Sequence, residues 1–189
     1  MGIRCFIAIE CNNFEIIQRF RYVQSELTMT GVNLKHVEPD NLHLTLKFLG
    51  EIEKTQVDRV SEMVSEITFK AFNISVENVG VFPNIRRPST IWAGVTEGVT
   101  ELARIFNSVD HKLSVIGFER DRRRFHPHIT ISRVRSGKNR EKLGEELMKL
   151  SNYSFGEDRI DNIALKKSVL TPNGPIYSTL AESAKPLDI

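Results

Sequence analysis

The sequence lacks any run of about 18 uncharged apolar residues, so it predicts no membrane-spanning helix. Cysteine is scarce, and the two present, Cys5 and Cys11, form neither a CxxC pair nor a ligand cluster, which argues against a disulfide framework. Glycine (11) and proline (7) are too few for a collagen-like or disordered chain. The N-terminal segment becomes charged too soon to be a signal peptide. These absences favour a cytoplasmic globular protein.

Charge is nearly balanced over the whole chain but not along it. The 189 residues hold 26 Lys and Arg against 24 Asp and Glu. One short region combines six arginines with only two acidic residues, Glu119 and Asp121; its arginines are Arg120, Arg122, Arg123, Arg124, Arg133 and Arg135. A local basic patch on a near-neutral body suits a polyanionic ligand such as nucleic acid, although a solvated charged loop would have the same composition.

Two four-residue segments, beginning at His43 and at His128, each consist of histidine, an apolar residue, threonine and an apolar residue. Trp92 follows His43 at the same distance, 49 positions, as Tyr177 follows His128. Ile7 precedes His43 by 36 positions, as Trp92 precedes His128. Unless this spacing is a coincidence, it predicts a duplicated unit and an α+β fold of two lobes related by an approximate two-fold axis. Each lobe is expected to be a mostly antiparallel sheet with helices on its outer side, and a cleft should separate the lobes.

No linker or low-complexity stretch divides the chain, so one domain is expected over residues 1–189. Alternation of polar and apolar residues predicts that each histidine segment is a strand with one polar and one buried face. The polar face of the first strand is expected to carry His43, Thr45 and Lys47. That of the second is expected to carry His126, His128, Thr130 and Ser132. Arg133 breaks the pattern, because strict alternation sends it to the buried face unless a bulge redirects the strand.

Two histidine–threonine arms suit phosphodiester cleavage. One neutral imidazole can take a proton from water while a second, protonated imidazole gives one to the departing ribose oxygen. The threonine hydroxyls can donate hydrogen bonds to the phosphate oxygens. This scheme needs no metal and no cofactor, and the residues alone do not decide which histidine is the acid.

Other interpretations of these histidines and aromatic residues are open. A zinc site formed by His43, His126 and His128 would lack nearby carboxylates or cysteines to complete it, and solvent-exposed histidines with no function are the second alternative. His36 and His111 have no comparable context and are expected on the surface. Three aromatic residues are expected to pack in the core or the cleft wall rather than stack on bases: Phe6, Trp92 and Tyr177.

The two motifs resemble the paired HxTx motifs of the two-histidine phosphoesterase superfamily, and most closely those of the RNA 2′,3′-cyclic phosphodiesterases, historically called 2′-5′ RNA ligases. The second motif is Phe125-His126-Pro127-His128-Ile129-Thr130-Ile131-Ser132-Arg133. Matching context at 4–9, 46–50, 82–95 and 174–177 extends the resemblance over nearly the whole chain.

The resemblance implies a bilobal phosphoesterase that opens a terminal 2′,3′-cyclic phosphate on RNA and leaves a 2′-phosphomonoester. It implies that His43 is the proton donor and His128 the proton acceptor. Thr45 and Thr130 would bind the phosphate, and Arg133 matches the arginine that follows the second motif. From the residues themselves, Lys47 and the cluster Arg122, Arg123 and Arg124 are added as substrate-binding candidates, with the cluster at the cleft rim.

The expected partner is RNA that ends in a cyclic phosphate, such as a tRNA fragment, with no membrane and no obligatory protein partner, and the chain is expected to be a monomer. Two alternative activities are 2′-5′ RNA ligation and hydrolysis of small cyclic nucleotides. The non-enzymatic alternative is a module that binds RNA or nucleotides without turnover.

Overall fold

Strands and helices alternate along the part of the chain that the structure, a computed structural model, describes: residues 2–172, 174–184 and 186. The strands are β1 (Ile3–Glu10), β2 (Leu34–His36), β3 (His43–Ile52), β4 (Phe72–Phe82), β5 (Thr90–Glu97), β6 (His128–Val134), β7 (Ser154–Ile160), β8 (Ala164–Thr171) and β9 (Gly174–Glu182). The helices are α1 (Phe14–Met29), α2 (Lys54–Ser65), α3 (Val99–Val115) and α4 (Arg140–Lys149). None of these helices is long and apolar enough to cross a membrane.

The strands form a single curled antiparallel sheet in the order β7-β4-β5-β6-β3-β1-β8-β9, with β2 also paired to β6. Between β3 and β6, a single pair, Leu44 opposite Ile129, is in register among the described residues. The sheet therefore consists of two halves that meet at this pair, each with four strands in the main order and one with β2 added beside β6, and the predicted two-lobed α+β fold is confirmed.

The two lobes correspond strand by strand but are not the two halves of the chain. Counting outward from the seam, β3, β1, β8 and β9 of one lobe match β6, β5, β4 and β7 of the other. Helix α1 leaves the first lobe and packs on β7 and α4 of the second, while α3 leaves the second lobe and packs on β3 and α2. The duplicated units are thus interleaved, and one lobe is made from both ends of the described chain.

Helix α1 illustrates how the core is specified. The Asn13 side chain accepts hydrogen bonds from the backbone N–H groups of Glu15 and Ile16, which satisfies donors that a helix start leaves free. The buried residues of this helix recur at helical spacing: Ile16, Phe20, Val23 and Leu27. Phe20 packs on Phe155 of β7 with 4.5 Å between ring centroids. Burying one such ring contributes roughly 1.5–3 kcal/mol.

Candidate active site

The seam between the lobes brings the two motifs together. Leu44 and Ile129 are the second residues of the two motifs, and both are buried beneath the sheet. In an antiparallel register that pairs them, His43 is opposite Thr130 and Thr45 is opposite His128, all on the other face. Each histidine therefore shares a row with the threonine of the other arm, so the two arms flank one site.

Both histidines are oriented by the same main-chain contact. His43 Nδ1 lies 2.7 Å from the carbonyl oxygen of Asn41, and His128 Nδ1 lies 2.7 Å from that of His126. A carbonyl oxygen can only accept, so Nδ1 carries the hydrogen in each ring, and Nε2 holds the free lone pair of the neutral imidazole. Within residues 2–172, 174–184 and 186 nothing hydrogen-bonds either Nε2 atom, which leaves both to a substrate.

Aromatic rings surround His43. The rings of Phe6 and Tyr177 lie 4.9 Å and 5.4 Å from the imidazole, between centroids. Burial among these groups lowers the pKa of His43, because the charged form loses hydration there. The hydrogen bond to the Asn41 carbonyl opposes this change without reversing it.

His128 has a matching enclosure in the other lobe. Phe82 and Trp92 lie 5.0 Å and 6.1 Å from its ring, and His126 packs on Trp92 at 5.0 Å. Burial lowers the pKa of His128, and a positive charge on His126 lowers it further. The two lobes thus supply two imidazoles that are both biased toward the neutral form.

An ion pair lies beside His43, and among the described residues it has no counterpart beside His128. Glu10 is opposite His43 on the neighbouring strand, and its carboxylate pairs with the Lys166 ammonium, which also donates to Thr179 Oγ1 at 2.8 Å. The position of Glu10 in the other lobe is taken by Gly94, which is opposite His128. The sequence carries no signal for this pair, since its two members are 156 positions apart.

Lys47 does not lie on the histidine face, and the prediction that it does is wrong. Ala8 is opposite Thr45 but Ile7 is opposite Lys47, so β3 has one extra residue at Leu46, a β-bulge. The bulge turns Lys47 inward, where it is 8% exposed and its ammonium donates to the Asp110 carboxylate at 2.7 Å. Phe48 takes the exposed position on the site face instead.

A second bulge, at the equivalent place in β6, produces the opposite outcome for Arg133. Trp92 is opposite Thr130 but Ile91 is opposite Ser132, so Ile131 is the extra residue. Ser132 is therefore fully buried, contrary to its predicted place beside His128. Arg133 is turned to the exposed face that carries the site. The sequence pattern allows this only if the strand contains a bulge, and the bulge is present. Its guanidinium forms no ion pair with a described residue.

His36 is partly buried rather than on the surface, and this prediction is wrong as well. Its Nε2 lies 2.8 Å from Thr28 Oγ1, and its Nδ1 lies 2.6 Å from Ser132 Oγ. The Thr28 hydroxyl already donates to the Gln24 carbonyl, so His36 Nε2 is the donor to it and Ser132 is the donor to Nδ1. His36 thus ties α1 to the bulge that turns Arg133 outward.

The threonines and the predicted arginine cluster occupy different places. Neither Thr45 nor Thr130 hydrogen-bonds another described group through its hydroxyl, so both hydroxyls are available beside the histidines. The side chains of Arg122, Arg123 and Arg124 are exposed on the loop that leads into β6, outside the two strands that form the seam.

Comparisons with known proteins agree with this geometry. The profile of the LigT-like phosphoesterases matches residues 13–92 and 94–177, two successive ranges that mirror the duplication. The RNA 2′,3′-cyclic phosphodiesterase of Archaeoglobus fulgidus is 44% identical over 179 residues, which is 94% of this chain and 98% of that protein. The protein of the same name from Aeropyrum pernix is 35% identical over 167 residues, 88% of this chain and 95% of that protein.

Solved structures with the same fold include Escherichia coli LigT in complex with 3′-AMP, at a TM-score of 0.77 and 22% identity. That similarity covers 96% of this chain and 97% of the LigT chain. A Thermus thermophilus protein of known structure is similar at a TM-score of 0.77 and 25% identity, over 95% of this chain and 96% of its own.

Proposed function

The chain belongs to the LigT-like phosphoesterase family, and on that premise we propose that it opens the 2′,3′-cyclic phosphate at the end of an RNA and leaves a 2′-phosphomonoester. The observation that carries the proposal is the pair of Nε2 atoms, one in each lobe, whose rings are fixed by the same Nδ1–H···O=C contact. Hydrolysis of a cyclic phosphodiester needs one acid and one base on opposite sides of the phosphorus, and two imidazoles supply both.

In the proposed reaction His43 is the acid and His128 the base. His128 Nε2 takes a proton from water as the water oxygen bonds to phosphorus. The bond between phosphorus and the ribose 3′-oxygen breaks, and that oxygen receives the proton from His43 Nε2. One P–O bond forms and one breaks, so the 2′-oxygen keeps the phosphate and the two histidines end with their protonation states exchanged.

The phosphate is held by groups that the fold leaves free. The hydroxyls of Thr45 and Thr130 flank the two imidazoles and can donate to the non-bridging oxygens as negative charge develops there. Arg133, turned outward by the bulge in β6, supplies a guanidinium on the same face. No step in this scheme is assigned to a metal ion.

The deciding experiment is incubation of a short RNA ending in a 2′,3′-cyclic phosphate with the protein in EDTA, followed by identification of the phosphate position in the product. We expect a 2′-phosphate, with kcat about 10²–10⁴-fold lower in His43→Ala and in His128→Ala, because each removes one proton-transfer group. His111→Ala, which changes an exposed histidine of α3, is the matched control and should keep wild-type turnover.

A substrate with sulfur in place of the 3′-oxygen separates the two roles. Thiolate leaves without protonation, so this substrate should restore most of the rate to His43→Ala but not to His128→Ala. Rescue of His128→Ala instead would reverse the assignment, and a 3′-phosphate product would contradict the proposed bond cleavage. If the wild-type protein bound the RNA but left it intact, the non-enzymatic alternative would replace the proposal.

A further inference from the structure

The loop between α3 and β6 is held on α3 at both of its ends. At its start, the buried Asp110 carboxylate accepts hydrogen bonds from Arg120 Nε at 3.0 Å and from the backbone N–H of Asp121 at 2.9 Å. At its end, the Phe125 ring stacks on Phe106 with 4.5 Å between centroids and 8° between planes. A charged hydrogen-bond hub and a stacked ring pair both restrain the backbone. The three arginines between these ties are therefore presented from a fixed loop.

The loop between β4 and β5 is equally constrained and also carries exposed arginines. Ser89 donates its backbone N–H and its hydroxyl to the Phe82 carbonyl, at 2.7 Å and 3.0 Å, which closes the base of the loop. At its tip, Asn84 Oδ1 accepts from the backbone N–H groups of Arg86 and Arg87, each at 3.1 Å. Both arginine side chains are exposed.

The two loops adjoin at His128. The Phe82 ring, at the base of one loop, lies 5.7 Å from His126, at the end of the other, and 5.0 Å from His128. Arg124 precedes His128 by four positions, so their Cα atoms are at most about 14 Å apart. Arg86 follows Phe82 by four positions, so the Cα atoms of these two residues are also at most about 14 Å apart. Both loops therefore border the active site on the His128 side.

The charges of these arginines are largely free. Arg123 Nε lies 3.7 Å from Asp121, an exposed contact of little strength, and the other four arginines form no ion pair with a described residue. The segment that leads into His43 is the counterpart of the one that leads into His128, because the Asn41 and His126 carbonyls play the same part. That segment carries two exposed acids, Glu38 and Asp40. Exposed positive charge is thus concentrated in the two loops on the His128 side of the site, where it attracts a polyanion.

We infer that Arg86, Arg87, Arg122, Arg123 and Arg124, here called the arginine rim, bind the phosphates of the RNA that lie upstream of its terminal nucleotide. The inference rests on the proposed function and deepens it, since it assigns particular residues of this chain to the phosphates upstream of the reacting nucleotide. Arginine suits this role because its guanidinium binds phosphate through two parallel hydrogen bonds and carries no sequence preference of its own.

The test compares an RNA oligonucleotide and a cyclic mononucleotide, both with a 2′,3′-cyclic phosphate, in wild type and in R122Q/R123Q/R124Q and R86Q/R87Q variants. For each variant we expect kcat/KM to fall at least tenfold more for the RNA than for the mononucleotide. Binding of a fluorescent RNA with a 3′-hydroxyl end, which cannot react, is measured against salt concentration. The slope of log K against log salt should become shallower by about 0.7 for each lost contact with a single strand.

The matched control removes the same charge elsewhere. Arg21, Arg59 and Arg104 are exposed on α1, α2 and α3, and their triple change to glutamine should leave the salt slope as in wild type. Equal losses with both substrates would show that the loops only support β6 and would overturn the inference, as would a slope that changes no more than in the control. Absence of turnover in wild type would contradict the proposed function alone, because the binding measurement does not depend on catalysis.

Discussion

Leu44 lies directly opposite Ile129, and this one pair of buried aliphatic residues fixes the relative position of both histidines and both threonines. The side chains of a strand alternate between its faces, so a slip of one residue at this pair would send one arm of the site to the core. Packing beneath the sheet therefore sets the geometry of the chemistry above it.

The lowered pKa values of the two histidines predict an acidic pH optimum. Catalysis needs one neutral and one protonated imidazole, and burial depresses the pKa of each below its ordinary value of 6.5. We expect kcat/KM, which reports the free enzyme, to be bell-shaped with its maximum below pH 6.5. In His126→Gln the acid limb should move to higher pH, because a positive charge that lowers the pKa of His128 is gone. A maximum above pH 7, or an acid limb that moves down, would contradict this account.

Asp110 is predicted to be a major determinant of stability. Burial raises the pKa of this carboxyl, but hydrogen bonds from Lys47, the Asp121 backbone and Arg120 outweigh burial and lower it below 3.8. The stabilising contribution of the carboxylate is therefore fully present above 3.8, the ordinary pKa that applies in the unfolded chain. It is lost as pH falls through the lower pKa of the folded state. Asp110→Asn should lower the free energy of unfolding by about 3–5 kcal/mol at pH 7, since it leaves the Lys47 charge buried and unpaired.

Urea unfolding at pH 7 and at pH 3 checks this prediction for Asp110. The difference in the free energy of unfolding between wild type and Asp110→Asn should be smaller at pH 3 than at pH 7. Asp58→Asn is the control. Asp58 pairs with Lys54 on the exposed surface of α2, and such a pair contributes less than about 1 kcal/mol. If Asp110→Asn lowered the free energy of unfolding no more than the control does, the hydrogen bonds of Asp110 would contribute little to stability.

Gly80→Ala should disturb the enclosure of His128. A β-carbon at Gly80 would overlap the six-membered ring of Trp92, which packs on His126 and His128. We expect the ring to shift, the free energy of unfolding to fall by about 1–3 kcal/mol, and kcat to decrease. Trp92 is the one tryptophan of the sequence, so its fluorescence emission reports the displacement directly.

Gly144→Ala is the matched change in α4, where an added β-carbon meets no heavy atom within 4 Å. It should stabilise the protein by about 0.5–1 kcal/mol and leave the emission unchanged. Unaltered emission and turnover in Gly80→Ala would mean that the Trp92 ring has more room than its contacts indicate.

The parts of the fold that sequence predicts best depend on local patterns. The strand over His128–Val134 follows from the alternation of polar and apolar residues, which is a property of neighbouring residues. Strand β7 is not predicted, because Glu157, Asp158 and Arg159 interrupt any apolar pattern there. It forms because β4 offers a partner along its whole length.

The site residues are likewise predicted correctly only where the alternation within one strand decides which face they occupy. Alternation places His43 with Thr45 and His128 with Thr130, but it misplaces Lys47 and Ser132. Their faces depend on bulges that arise from pairing with β1 and β5, and no pattern within β3 or β6 encodes that register. The hydrogen bonds of His36 escape the sequence pattern for a related reason, since one of its two partners lies 96 positions away.

The interleaved lobes have a consequence for synthesis on the ribosome. Strand β1 pairs with β8, and Cys5 lies opposite Lys167. The lobe that carries His43 therefore cannot form until nearly the whole of the described chain has been translated. The lobe that carries His128 needs strands only up to β7 and can assemble first. Contacts between such distant residues also slow folding. The two-histidine site is therefore complete only after the final hairpin, formed by β8 and β9, has joined the sheet.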